Sequence, residues 1–242
     1  TVNTDLSWDM NNPLYEAKLG SFSKDGTNSF VNNTDFRWDI NKMFRLTGHF
    51  NITSTSGWAE AFTSPKSQYY KNQPDLSKRG QLIQTNSRNT SWNANAVGTF
   101  NKMFKDNSLI SASLGWEATH NKDRSATTEA IGFFNDHLSF IGNAAGYPAD
   151  AQPTGTQGET ATVGAFLTAN YSYRNRYFID GTWRMTGSSQ FGENNRWGNF
   201  WSAGGGWNIL NENFMKGVKK SIDLMKLRFS MGYTGKVNFS PY

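Results

Sequence analysis

The stretch YSYRNRYFIDGTWRMTGSS, Tyr171 to Ser189, decides how this chain is read. Apolar and polar residues alternate on either side of Arg174-Asn175, with Tyr171 and Tyr173 before it and Tyr177, Ile179, Trp183 and Met185 after it, set against Asp180, Thr182 and Arg184. Successive side chains leave a strand on opposite faces, so period two marks a strand whose faces meet different surroundings. Two such runs meeting at Arg174-Asn175 read as a hairpin. Its unusual feature is that large rings fill one face while charge occupies the other.

The same pattern extends through the chain. Alternating segments fall at 29–40, 44–56, 82–100, 108–122, 160–173, 176–187, 197–208 and 223–234, roughly eight strands. In 44–56, Phe44, Leu46, Gly48, Phe50 and Ile52 oppose Arg45, Thr47, His49, Asn51 and Thr53; in 223–234, Leu227, Phe229, Met231 and Tyr233 oppose Lys226, Arg228 and Ser230. The connections run short, long, short, long, short and then medium, the long ones being 57–80 and 125–159. An up-and-down membrane barrel has short turns at its periplasmic rim and long loops outside, whereas nothing in a soluble sandwich keeps its long loops at one end. Tyr171, Tyr173 and Tyr177 bracket a short turn, and Trp197, Trp201 and Trp207 are read towards strand ends, as in an interfacial aromatic girdle.

Composition agrees. Of 242 residues only 36% are hydrophobic, yet 15% are aromatic, which fits neither a Leu/Ile/Val-rich soluble core nor a disordered chain. No run approaches the roughly 20 apolar residues of a membrane helix, and the mean hydropathy is −0.65, but membrane strands need only every second residue apolar over about 9–11 residues. The net charge of +5 is scattered and no nucleic-acid motif accompanies it, so no nucleic-acid partner is expected. Lys66, Lys71, Lys78 and Arg79 share one polar stretch and are read as a solvated loop. His49, His120 and His137 stand far apart without ligand spacing, cysteine is absent, and Gly204-Gly205-Gly206 lacks the Lys-Ser/Thr of a phosphate loop. No metal, cofactor or catalytic residue is expected; the glycines are assigned to close packing or curvature.

The segment YRNRYFIDGTWRMTGSSQFGENNRWGNFWSAGGGWNILNENFM, Tyr173 to Met215, resembles the SusC/RagA group of TonB-dependent outer-membrane transporters. The shared marks are Arg184, Gly187, Ser188, Ser189, Phe191 and Gly192, then Asn195-Arg196-Trp197-Gly198, then Trp207, Ile209, Glu212 and Phe214. The strand near Leu224 with Thr234-Gly235 and Pro241-Tyr242, and NNPLYEA at Asn11 to Ala17, are similar to the same group. Gln190 and Trp201 stand where the group more often has Arg and Pro.

The resemblance implies an all-β, antiparallel transmembrane barrel of about 22 strands. Residues 1–242 are then expected to form an interior part of that barrel domain, without its plug domain and remaining strands. It also implies a Bacteroidota-like outer membrane, a SusD-like surface lipoprotein as lid, TonB-ExbB-ExbD acting through the plug, and an oligosaccharide or peptide cargo. Tyr177, Ile179, Trp183 and Met185 are then expected to face lipid, and Asp180, Arg184, Lys226 and Arg228 a watery lumen. Trp58, Tyr69, Tyr70, Phe133, Phe134 and Tyr147, read as loop aromatics, are the candidate cargo or lid contacts. The contrasting readings are a soluble glycan-binding β-sandwich using those aromatics, and a small barrel that closes on its own strands.

Overall fold

The computed structural model describes residues 13–149, 152–191, 196–217 and 221–235. The motif residues Asn11, Asn12, Gly192, Asn195, Pro241 and Tyr242 lie outside them. After a short helix α1 (Pro13–Glu16), the strands are β1 (Phe22–Asp39), β2 (Phe44–Thr63), β3 (Gln81–Met103), β4 (Leu109–Phe133), β5 (Ala144–Gly146), β6 (Thr154–Tyr173), β7 (Tyr177–Ser188), β8 (Trp197–Asn208) and β9 (Lys226–Tyr233). They form one sheet in the order β1-β2-β3-β4-β6-β7-β8-β9, with β5 pairing β4 off this path. Every neighbour is thus the next long strand in sequence, a meander. Among the described residues there is no second sheet, so the sandwich reading lacks the layer it requires. Nor does β1 pair with β9, so the self-closed small barrel is not formed.

The eight expected strands are present, but five of them are longer than their alternation suggested, and the three-residue β5 was not foreseen. β1 starts at Phe22, β2 continues through Thr63, β3 runs to Met103, β4 to Phe133, and β6 starts at Thr154. Much of the two long connections is therefore strand.

The described residues divide into two compact units. One holds residues 13–30, 53–90, 122–149 and 152–158. Its small core joins Phe62, Leu82, Ala130 and Phe133, with Phe22, Ile141 and Ala144 against them. Phe133 meets Phe62 edge-on at 5.2 Å between centroids, and Phe22 approaches Phe62 at 5.7 Å. Gly132, at φ +81°, makes the turn into this core possible, because a side chain there would collide with the Ser77 carbonyl and with Ala145. Around the core the strand side chains pair through polar groups. Glu60 receives Lys24 at 3.0 Å and Gln84 at 2.8 Å, Gln81 donates to Glu129, and Thr85 meets Thr127. Asp136 is buried and held below the usual carboxylate range by a 3.1 Å bond from Lys66.

The other unit holds residues 31–52 and 91–121 and the described residues from 159 to 235. Its short turns have specific chemistry. Asn41 Oδ1 accepts from the backbone N–H groups of Met43 and Phe44, an Asx turn between β1 and β2. Between β6 and β7, Arg174 and Asn175 sit at φ 46° and 56°, and Arg176 N–H donates to the Tyr173 carbonyl at 2.8 Å. Positive φ at both central positions is the mark of a type I′ turn, whose twist matches that of the flanking strands.

Pairing in this unit fixes the faces. Rows run Tyr173–Tyr177–Trp207–Leu227, Tyr171–Ile179–Gly205–Phe229, Ala169–Gly181–Ala203–Met231 and Leu167–Trp183–Trp201–Tyr233. Two further rows, Ala165–Met185–Asn199 and Val163–Gly187–Trp197, complete this face. Apart from Asn199 it carries no amide or charge, and it is open: Ile179 is 64% exposed and Phe229 69%. Trp201 belongs to the middle of this face beside Trp183, not to a strand end as its sequence position suggested. No helix here is long and apolar enough to cross a membrane; a β-barrel crosses with strands.

Candidate functional site

The opposite face of β6–β9 carries the polar chemistry. Its rows are Ser172–Phe178–Gly206–Arg228, Asn170–Asp180–Gly204–Ser230, Thr168–Thr182–Ser202–Gly232 and Phe166–Arg184–Phe200. Asp180 and Arg184 do share a face, but they do not pair with each other. Arg184 pairs with Glu117 of β4, and Asp180 with Arg228 of β9 at 3.6 Å.

The Asp180–Arg228 pair spans β8, and the glycine triplet is what permits it. A Cβ on Gly204 would stand 2.6 Å from Asp180 Oδ2, so any side chain there would displace the Asp180 carboxylate. Gly206 leaves similar room for Lys226, whose Nζ lies 4.2 Å from the centroid of the Phe178 ring. The triplet thus serves close packing, and it opens a concavity of about 390 Å³ floored by Gly206 and walled by Phe178, Asp180, Lys226 and Arg228. Valine at Gly204 is expected to displace Asp180 and destabilise the sheet by about 1–3 kcal/mol. Adding Asp180→Gly should recover part of the loss in urea-unfolding midpoint, because the clash is with that carboxylate.

Beyond the end of β8, Glu212 ties the turn to the aromatic row. Its Oε1 accepts from the Tyr177 hydroxyl at 2.8 Å and from the Trp207 indole at 3.0 Å, and its Oε2 from Arg176 at 3.3 Å. Tyr177 and Trp207 lie nearly parallel, 13° apart, with Tyr173 on the other side of Tyr177. These bonds, Tyr177 first and Trp207 second, hold the Glu212 carboxyl below the usual glutamate range. A depressed carboxyl contributes stability that is present above its unfolded pKa of about 4.3 and is lost as pH falls through the lower folded value. Acidification of the assembled protein should therefore release Tyr177 and Trp207, and Glu212→Gln should remove that step from a fluorescence titration. A titration with the same step in both proteins would contradict it.

The sequence-predicted loop aromatics are not one group. Trp58 is on β2, its indole laid over the backbone of Gly26, where a Cβ would come within 2.7 Å. Phe133 ends β4 and is 1% exposed, a core ring with no face left for a ligand. Tyr70 is buried, which pushes its hydroxyl up to about 12, and it meets Tyr69 edge-on at 5.0 Å. Tyr69, Phe134 and Tyr147 are exposed as a ligand contact requires. No contact joins these three into one platform among the described residues. The histidines are also separate: His49 pairs with Asp35, His120 pairs with Glu159 and stacks on Trp92, and the backbone of His137 bonds Asn135.

A single meandering antiparallel sheet, with one face open and apolar and the other charged and glycine-hollowed, defines a class: the wall of an antiparallel transmembrane β-barrel. Comparison with known proteins specifies it further. No protein-family model matches the chain. The chain is 35% identical over 137 residues to TonB-dependent receptor P39 of Formosa agariphila, a match taking in 56% of this chain and 13% of that protein. It is 49% identical over 76 residues to TonB-dependent receptor SusC of Bacteroides thetaiotaomicron, 31% of this chain and 8% of that protein. The chain thus spans about a seventh or less of these curated relatives. In structure it is similar to the RagAB peptide importer in its closed-closed state, with a TM-score of 0.76 at 22% identity, covering 91% of this chain and 24% of that one. The sequence is similar to TonB-dependent receptors, SusC among them, the fold is that of a TonB-dependent β-barrel, and the location that goes with that fold is the outer membrane.

Proposed function

We propose that this chain is part of the barrel domain of a TonB-dependent importer that carries nutrient oligomers, oligosaccharides or peptides, across an outer membrane. The observation that carries the reading is the two-faced wall. From Val163 to Tyr173 the apolar face runs eleven residues, ten steps, along β6. That is about 34 Å of strand and about 26 Å of height at a tilt of about 40°, close to the apolar band of a membrane barrel. Tyr173, Tyr177 and Trp207 mark one edge of the band and Trp197 the other. Lipid would contact Tyr177, Ile179, Trp183 and Met185, and a hydrated lumen would contact Asp180, Arg184, Lys226 and Arg228.

In this reading further strands extend the sheet from β1 and β9, whose edges would otherwise present unpaired N–H and C=O groups to hydrocarbon. A plug domain elsewhere in the polypeptide takes the pull of TonB-ExbB-ExbD, and a SusD-like surface lipoprotein covers the outer mouth, by analogy with the receptors it resembles. The test is uptake of labelled oligosaccharide and peptide mixtures by cells carrying the full-length protein, with and without TonB. Accumulation that requires both is expected. Accumulation independent of TonB, or recovery of the protein from the soluble fraction without detergent, would contradict the reading.

A further inference from the structure

We propose that the concavity over Gly206, between Asp180, Lys226 and Arg228, is a subsite for a carboxylate carried by the cargo. The proposal deepens the import reading and rests on its assignment of the polar face to the lumen.

The charges around this concavity do not balance. Two cations, Lys226 and Arg228, face a single carboxylate, Asp180. The Asp180–Arg228 separation of 3.6 Å exceeds hydrogen-bond length, so the guanidinium keeps donors to offer. Lys226 has no carboxylate within ion-pair distance among the described residues. Its one partner is the face of Phe178, which fixes the ammonium from one side and leaves its N–H donors pointing elsewhere.

The lining also holds the amide of Asn170. Two cationic donors and an amide around a hollow floored by Gly206 match an anion with several lone pairs. A carboxylate is the anion that oligosaccharides and peptides both carry, as a uronate in the one and an acidic side chain or C-terminus in the other.

The experiment measures binding, without energy input, to the full-length protein in detergent. Two probe pairs are used: tetragalacturonate with its methyl ester, and a tetrapeptide containing aspartate with its asparagine counterpart. The wild type should prefer the acid in at least one pair by about tenfold or more, the scale of hydrogen bonds to charged groups. Lys226→Gln, which leaves the Asp180–Arg228 pair in place, should reduce that preference several-fold. Preference confined to the saccharide pair identifies a uronate, preference confined to the peptide pair an acidic peptide, and preference in both a carboxylate whatever its carrier. Equal binding of acid and neutral probe in both pairs would overturn the proposal, as would a preference that Lys226→Gln leaves unchanged. The wild-type measurement decides even if the variant fails to assemble. A protein that prefers the acid but imports nothing fails the import reading alone.

Discussion

Arginine at Leu167 is expected to cost the assembled barrel about 2–4 kcal/mol, the penalty for a charged side chain on the lipid face near the bilayer midplane. Leu167 shares a row with Trp183, Trp201 and Tyr233, well inside both aromatic edges of the apolar face. Lysine at Ile179, one row from the Tyr173–Tyr177 edge, should cost less, because a long side chain near the interface can reach water. Asp180→Asn, one residue away on the opposite face, should cost less still. Assembly is read as heat-modifiable migration and stability as the urea midpoint in lipid. The expected order is Leu167→Arg worst, Ile179→Lys intermediate and Asp180→Asn mildest. Equal effects at Leu167 and Asp180 would mean that the two faces meet the same medium.

Alanine at Phe133 is expected to destabilise its unit by about 3–5 kcal/mol, the range for removing a fully buried aromatic ring. The ring is 1% exposed and loses its edge-on partner Phe62 together with packing against Leu82 and Ala130. Because Gly132 N–H bonds the Gly80 carbonyl and Phe133 N–H the Arg79 carbonyl, the 64–80 connection should loosen with it. Protease cleavage within 64–80 should accelerate, and hydrogen exchange there should rise. Phe134→Ala, next in sequence but 81% exposed, should leave both unchanged. If Phe133→Ala weakened cargo binding while cleavage stayed at the wild-type rate, the ring would be a ligand contact and the core assignment would be wrong.

The contrast between Phe133 and Phe134 shows where sequence reading worked and where it stopped. In 160–187 the two alternations were legible because the segment keeps strict period two, and the pairing puts Tyr177 and Ile179 in apolar rows and Asp180 and Arg184 in polar ones. The parts of β3, β4 and β6 that read as QTNSRNT, NKDRSATTE and TGTQGETAT gave no such signal. Their side chains are polar on both alternations, with Lys24, Glu60 and Gln84 linked on one and Thr85 and Thr127 on the other. A strand wet on both faces has no reason to alternate. Trp58 and Phe133 were therefore taken for loop residues, although both belong to strands.

The polar-face site was legible only in part. Alternation placed Asp180, Arg184, Lys226 and Arg228 on polar faces, yet it could not give their partners. Glu117 lies on another strand, and the Asp180–Arg228 pair crosses β8, so both depend on register. Register also explains the glycine triplet. Gly204 is opposite Asp180 and Gly206 opposite Phe178, so each missing side chain makes room for a particular neighbour.

The central claim is that β7 separates lipid from water, and cysteine labelling along it tests this most directly. These 242 residues contain no cysteine, so single substitutions from Ile179 to Met185 report on β7 alone once any cysteine elsewhere in the full-length protein is replaced by serine. In the full-length protein in its outer membrane, a water-soluble maleimide should label cysteine at Asp180, Thr182 and Arg184, and should not label it at Ile179, Gly181, Trp183 or Met185. Labelling without that alternation, or with the opposite alternation, would contradict the account.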